Sequence, residues 1–218
     1  MSTSQYHAGE HSRVRTHADR ASYDRDLIDS ILDGAPYCHV GFVSGGRPIV
    51  IPMLHAREGS RLFLHGSPNS RMLNDIVSLP LVCVVATILD GLFVGTAVVS
   101  HGFNYRSVIA FGPAATIEDP AAKREALRAL TEKAAPGRWD QTRRPSDTEV
   151  AATRVVSIEI AEASAKVRSG GPNAPGEGHP GIWTGVIPYS LVPGEPIPDP
   201  SVPPGTQPPA GLLRRPTA

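Results

Sequence analysis

Tyr37-Cys38-His39-Val40-Gly41-Phe42-Val43, then Ser44-Gly45-Gly46, then Arg47-Pro48-Ile49-Val50-Ile51-Pro52-Met53: this stretch decides the fold. The first run alternates like a strand, the glycine pair turns the chain, and a second strand runs back to Leu54. Glu58-Gly59-Ser60 repeats the device and leads into Arg61 to His65. Asp90-Gly91, flanked by the apolar runs Leu81 to Leu89 and Leu92 to Ser100, predicts another hairpin. Further strands are expected over Tyr105 to Ile117 and Arg154 to Ala161. Helices are expected over Asp24 to Leu32, from Ser67-Pro68 to about Val77, and from Asp119-Pro120 through Lys133. Hairpin-joined antiparallel strands with a few inserted helices predict a mainly β, α+β chain built as a small barrel.

Composition narrows the partners. Lys+Arg and Asp+Glu balance at 21 each among 218 residues, so no net field draws the chain to nucleic acid or an anionic membrane. The longest apolar run, Leu79 to Leu89, is too short to span a bilayer. Residues 1–20 are polar and rich in histidine, without the apolar core of a signal peptide, and are expected to be flexible. With Cys38 and Cys83 in strand-like surroundings as buried thiols, a cytoplasmic protein is expected. Residues 21–190 form the expected domain and 191–218 a tail. Nine of the 26 residues from Pro193 on are proline, which resists helix and sheet and predicts an extended course.

His65-Gly66-Ser67-Pro68-Asn69-Ser70-Arg71 is the sharpest chemical signal. A strand ends, glycine allows a close turn, serine caps, and a helix begins, offering free N–H groups to an anion. Arg71 in a first helical turn is disfavoured by the dipole unless an anion is bound there. An ordinary capped helix with a solvated arginine is the competing reading. No Gly-x-Gly-x-x-Gly or Walker-type loop occurs, so a phosphate at this corner belongs to a mononucleotide. Two prolines in the strand 47–53 suit an edge or bulge whose free backbone groups can meet a flavin ring. An irregular rim strand explains them too. His101 to Val108 reads as a lined pocket or a covering loop, and Trp183 as a ring on a cofactor, an interface or a core. The histidines of the N-terminal segment lack a ligand arrangement, so no metal is expected. No nucleophile motif points to hydrolysis.

Taken in order, these segments resemble the pyridoxamine phosphate oxidase-like FMN-binding split-barrel family, in its flavin-nucleotide-binding, nitroimidazole-resistance-like branch. The resemblance covers about Arg20 to Ile187. It implies a split β-barrel of antiparallel strands, FMN as cofactor and a homodimer with the flavin at the interface. It further implies that Val50, Ile51, Pro52 and Met53 meet the flavin ring, and that His65, Gly66 and Ser67 lie against the ribityl chain and phosphate. Ser70 and Arg71 correspond to the pair that grips the phosphate. Arg106, Ser107 and Trp183 match positions around the flavin, with Ser107 standing for a glutamine that, like the tryptophan, comes from the facing subunit. The family oxidases carry an arginine-rich segment after the tryptophan. Here Val186-Ile187-Pro188-Tyr189-Ser190-Leu191 replaces it, which argues against oxidation of pyridoxamine phosphate. The expectation is an FMN-dependent oxidoreductase acting on a small molecule or a reduced nicotinamide donor, with His101 and Tyr105 as proton-delivering candidates. A non-catalytic flavin-binding or redox-sensing module, or a barrel using deazaflavin or haem, are the alternatives.

Overall fold

A computed structural model describes residues 4–172 and 181–213, whose strands form two antiparallel sheets. The chain opens with β1 (Ala21–Ser22), α1 (Arg25–Gly34), β2 (Cys38–Ser44), β3 (Arg47–Met53), β4 (Ala56–Glu58) and β5 (Arg61–Gly66). A short α2 (Arg71–Ile76) leads to the long strands β6 (Val82–Val94) and β7 (Gly102–Gly112), then β8 (Ala114–Thr116). Three helices follow: α3 (Pro120–Ala134), α4 (Arg138–Gln141) and α5 (Asp147–Ala151). The last strands are β9 (Arg154–Glu159), β10 (Glu162–Arg168) and β11 (Gly185–Pro188). The larger sheet runs β1-β10-β7-β6-β2-β3, with β11 also on β6, and the smaller runs β4-β5-β9-β8.

The two sheets share corners, which is what splits the barrel. Pro113 carries the chain from β7 into β8, and residues 160–161 carry it back from β9 into β10. The first corner needs glycine, because a Cβ on Gly112 would stand 1.5 Å from the Glu159 carbonyl oxygen. Helix α1 closes the core. Asp24 caps it, accepting from the Leu27 N–H at 2.9 Å, and Ile28, Ile31 and Leu32 are fully buried. They pack on the inward residues of the larger sheet, among them Val40, Val84, Val108 and Ala165. Each such aliphatic side chain contributes about 1.5–3 kcal/mol by leaving water. A smaller cluster joins Phe63 and Val155 to Ala126 and Leu130 of α3.

Several expectations need correction. Asp90-Gly91 is no hairpin: β6 continues through it with a register shift between Leu89 and Gly91, and the turn to β7 lies beyond Val94. Flanking pairing with β7 on one side and β11 on the other favours a bulge over reversal. The expected strand 105–117 is broken at Pro113. β10 was not foreseen, since its inward residues are alanines that give little apolar alternation. The N-terminal segment, expected to be flexible, is tied down where described. Tyr6 is buried and donates to Asp29 at 2.8 Å, and Ser12 is buried with its hydroxyl on Glu162 at 2.9 Å. The sequence from Lys166 to Gly181 is charged and then rich in glycine, and its residues 173–180 lie outside the described residues. No described helix is long and apolar enough to cross a membrane.

Candidate functional site

Among the described residues, strand β3 is the edge of the larger sheet and pairs only with β2. Gly45 and Gly46, at φ 57° and 75°, form a two-residue turn that makes Ser44 and Arg47 the closing pair. Hydrogen-bonded and non-bonded pairs then alternate along the hairpin. Pro48, Val50 and Pro52 fall on the non-bonded positions, so the prolines sacrifice no ladder bond. Their backbones turn outward instead. The open edge therefore presents the N–H of Val50 flanked by the carbonyls of Pro48, Val50 and Pro52. Ile49, Ile51 and Met53 take the ladder positions and pack on the core. An apolar cleft of about 470 Å³ runs along this hairpin, lined by Gly41, Val43, Val50, Cys83 and Phe111 among others.

His65 and Gly66 end β5, opposite Val155 and Arg154 of β9. Burial pushes the His65 imidazole below its usual range, and its buried Nδ1 has no partner among the described residues. Gly66 sits tight against α2, where a Cβ would meet Leu73 Cδ1 at 3.0 Å. The helix starts later than its sequence suggests. Ser67 to Asn69 form a turn, with Ser67 Oγ accepting from the Asn69 N–H at 3.2 Å and Ser67 O from the Ser70 N–H at 2.9 Å. Ser70 is the true N-cap and accepts from the Leu73 N–H at 3.3 Å. Arg71 thus takes the first helical position, exposed and paired with no carboxylate among the described residues. One turn on, Asp75 accepts from Ser44 Oγ at 2.6 Å, which fastens α2 beside the β2–β3 turn.

The remaining candidates stand apart. β7 lies three strands from β3, about 14 Å at the usual strand spacing. Arg106 is engaged with Asp90 at the bulge, donating from Nε at 3.0 Å and Nη2 at 2.7 Å, and this contact raises its pKa. Ser107 Oγ donates to the Lys166 carbonyl at 3.2 Å. His101 Nδ1 accepts from the Gly95 N–H at 3.2 Å, which leaves any ring proton on Nε2. Tyr105 pairs with Leu89 and Arg168 across the sheet. Trp183 is 58% exposed, just ahead of β11. Sequence reasoning missed Arg168, a buried guanidinium stacked over Phe93 that donates to the carbonyls of Gly170 and Gly171. It also missed Asp90, whose only signal was the turn-like Asp-Gly pair. No group of three histidine, cysteine or acidic side chains stands together among the described residues.

The model of a family described as pyridoxamine 5'-phosphate oxidase matches residues 24–167, from the cap of α1 to the end of β10. The chain belongs to this family. Solved structures agree. The flavocytochrome Anf3 from Azotobacter vinelandii is 35% identical with a TM-score of 0.86, over 95% of this chain and 97% of its own. The FAD and haem binding protein from Mycobacterium smegmatis is 32% identical with a TM-score of 0.82, over 90% and 98%. A 5-nitroimidazole antibiotic resistance protein from Bacteroides thetaiotaomicron, so described provisionally, is 26% identical with a TM-score of 0.57, over 67% and 86%. No curated protein matches in sequence. As a member of the pyridoxamine 5'-phosphate oxidase family, the chain has the small barrel that its hairpins implied, in the split form that the family resemblance implied.

Proposed function

We propose that the chain binds a flavin nucleotide at the open edge of β3 and works as an oxidoreductase on a small molecule, with haem as a second redox group. The observation that carries the flavin reading is the edge itself. A flavin's pyrimidine rim both donates and accepts hydrogen bonds, and Val50 N–H flanked by outward carbonyls answers both needs. The exposed Arg71 supports the reading, since a phosphate would give its guanidinium a bidentate partner beside free helix N–H groups. Bound there, a flavin supplies reversible hydride and single-electron transfer. The chain's own share is to hold the ring on backbone groups, fix the phosphate, and keep proton donors within reach. His101, with its Nε2 free to carry a proton, and Tyr105 are the candidates for that last task.

FMN is what the short phosphate corner suggests. Of the two relatives that match nearly the whole chain, one is named a flavocytochrome and the other an FAD and haem binding protein, which favours haem and, from the second, FAD. His65, whose buried Nδ1 has no partner among the described residues, is the candidate to hold the haem iron, and burial lowers its pKa, which favours the neutral imidazole that iron requires. We place the site in a homodimer. Arg106 and Ser107 lie three strands from β3 and Trp183 is exposed, so a facing subunit could bring them to the flavin. The test is the spectrum of the purified protein, with chromatography of released flavin and a pyridine haemochrome assay. Absence of flavin after loading with either nucleotide overturns the reading; His65→Ala that retains full haem removes His65 from it.

A further inference from the structure

Arg168 ends β10 as a buried cation, and no carboxylate pairs with it among the described residues. Its acceptors are all neutral: Asn104 Oδ1, the Gly170 carbonyl at 3.0 Å and the Gly171 carbonyl at 2.8 Å. Asn104, also buried, donates from Nδ2 to the same Gly170 carbonyl at 3.0 Å. On its face, the guanidinium carbon stands 3.2 Å from the centre of the Phe93 ring. That ring lies on Gly102, its partner across the ladder, where a Cβ would meet Phe93 Cζ at 2.6 Å. A buried cation without an anion loses hydration and recovers it only through these carbonyls, so it is a poor source of stability. What it supplies is geometry, because a rigid planar fork holds three carbonyl oxygens and a ring face in set directions.

The geometry it fixes is the base from which the chain leaves β10 and to which it returns at β11. Gly170, at φ 86°, turns the chain out of β10. Pro172 then packs on Gly95, just past the end of β6, where a Cβ would stand 3.0 Å from the proline's own. The return is to the same place: Gly185 pairs with Val94, and Val186 pairs with Phe93, the residue under the guanidinium. The Trp183 indole lies against Gly185, with Cζ2 3.0 Å from the position of a Cβ there. Gly95 N–H also donates to His101 Nδ1 at 3.2 Å, so the joint bears on both site candidates. We propose that Arg168 is a positioning residue of the candidate site: through Phe93 and the Gly170–Gly171 turn it fixes where Trp183 stands. The step from Trp183 to the cofactor rests on the flavin reading; the fixing of the indole does not.

The test uses the full chain with one indole at a time. In a Trp139→Phe background Trp183 is the sole tryptophan, and Arg168→Lys keeps the charge but not the fork. The amplitude of subnanosecond depolarisation of Trp183 fluorescence should rise about twofold, the timescale on which a freed side chain moves. The flavin dissociation constant should rise about threefold to tenfold, the worth of one well-placed aromatic contact. In the converse Trp183→Phe background, Trp139 of α4, which packs on α3, should depolarise as in the parent. Equal loosening of both indoles, or none at Trp183, overturns the proposal. So does a loosened Trp183 with unchanged flavin affinity. Phe93→Leu removes the ring face and leaves the guanidinium its carbonyls; it should free Trp183 likewise, and it decides the matter where Arg168→Lys does not fold. A parent that binds no flavin ends the flavin reading, while the depolarisation still decides whether Arg168 places the indole.

Discussion

Ser44 Oγ and the Asp75 carboxylate are joined at 2.6 Å, although the hairpin and the helix they belong to lie 31 residues apart. The bond sets where α2 begins relative to the open edge of β3. Asp75 lies one helical turn beyond Arg71, and Ser44 is the residue paired with Arg47 at the hairpin turn. The two halves of the candidate site are thereby held in register.

Removing that hydroxyl should therefore loosen both structure and binding. Ser44→Ala is expected to cost about 1.5–3 kcal/mol, the range of a hydrogen bond to a charged acceptor. Urea unfolding measures it. Flavin affinity should fall with it, because the start of α2 is no longer fixed beside β3. Equal stability in parent and variant would show that packing of Met72, Leu73 and Ile76 alone places the helix.

Arg71→Ala separates binding from folding. The side chain is exposed at the first helical position, where a cation opposes the helix dipole. Its loss should leave the unfolding midpoint unchanged or slightly raised. Flavin dissociation constants, followed by fluorescence quenching, should rise about tenfold to a hundredfold, the worth of a charge-assisted hydrogen bond. Affinity equal to the parent's would confine the Ser67 to Arg71 corner to a structural role.

The Asp90–Arg106 pair should prove coupled. Its side chains are 33% and 24% exposed and meet in bidentate geometry at a β-bulge. A double-mutant cycle with Asp90→Ala and Arg106→Ala is expected to give a coupling of about 0.5–1.5 kcal/mol, reaching beyond the upper end of the range of exposed pairs. Additive losses would mean that the bulge is held by the ladder alone. The cycle also asks whether Arg106 is free to serve a cofactor, since a strong coupling to Asp90 commits it to the sheet.

How much of this could be read from the chain follows from which interactions are local. The β2–β3 turn, the Asp119 cap and the edge position of Pro48 and Pro52 depend on a few neighbouring residues, and all stand as expected. Asp90-Gly91 carries the same local chemistry as a hairpin turn, yet β7 and β11 flank it and tertiary pairing prevails. Ser67-Pro68 likewise looks like a helix start, but the Ser70 hydroxyl captures the Leu73 N–H and delays the helix. β10 was invisible because Ala163 and Ala165 are small enough to lie beneath α1 without an apolar pattern. The pinned N-terminus depends on Glu162, 150 residues away from Ser12 in sequence. That Pro48 and Pro52 would lie on an edge strand was legible from their missing N–H groups; that Asp90 would engage Arg106 was not, because that pair forms only across the β6–β7 ladder.

His55 predicts the acid limb of stability. It is fully buried between β3 and β4, with Nε2 2.8 Å from the Leu32 carbonyl at the end of α1, and its Nδ1 has no partner among the described residues. Burial pushes the imidazole from 6.5 down to about 4. Above pH 6.5 the ring is neutral in both folded and unfolded chains, so it adds no pH dependence there. As pH falls through that value the unfolded chain takes up a proton that the folded chain refuses, and stability declines until about pH 4. The full loss across the window is about 3 kcal/mol for a shift of this size. His65, also lowered by burial, acts in the same direction, so the comparison must be with His55→Gln in the same background. Urea midpoints measured between pH 4 and 8 should fall less steeply in that variant, though from a lower plateau, because the bond to Leu32 is disturbed. Parallel curves for parent and variant would show that the buried imidazole is protonated without opening the core.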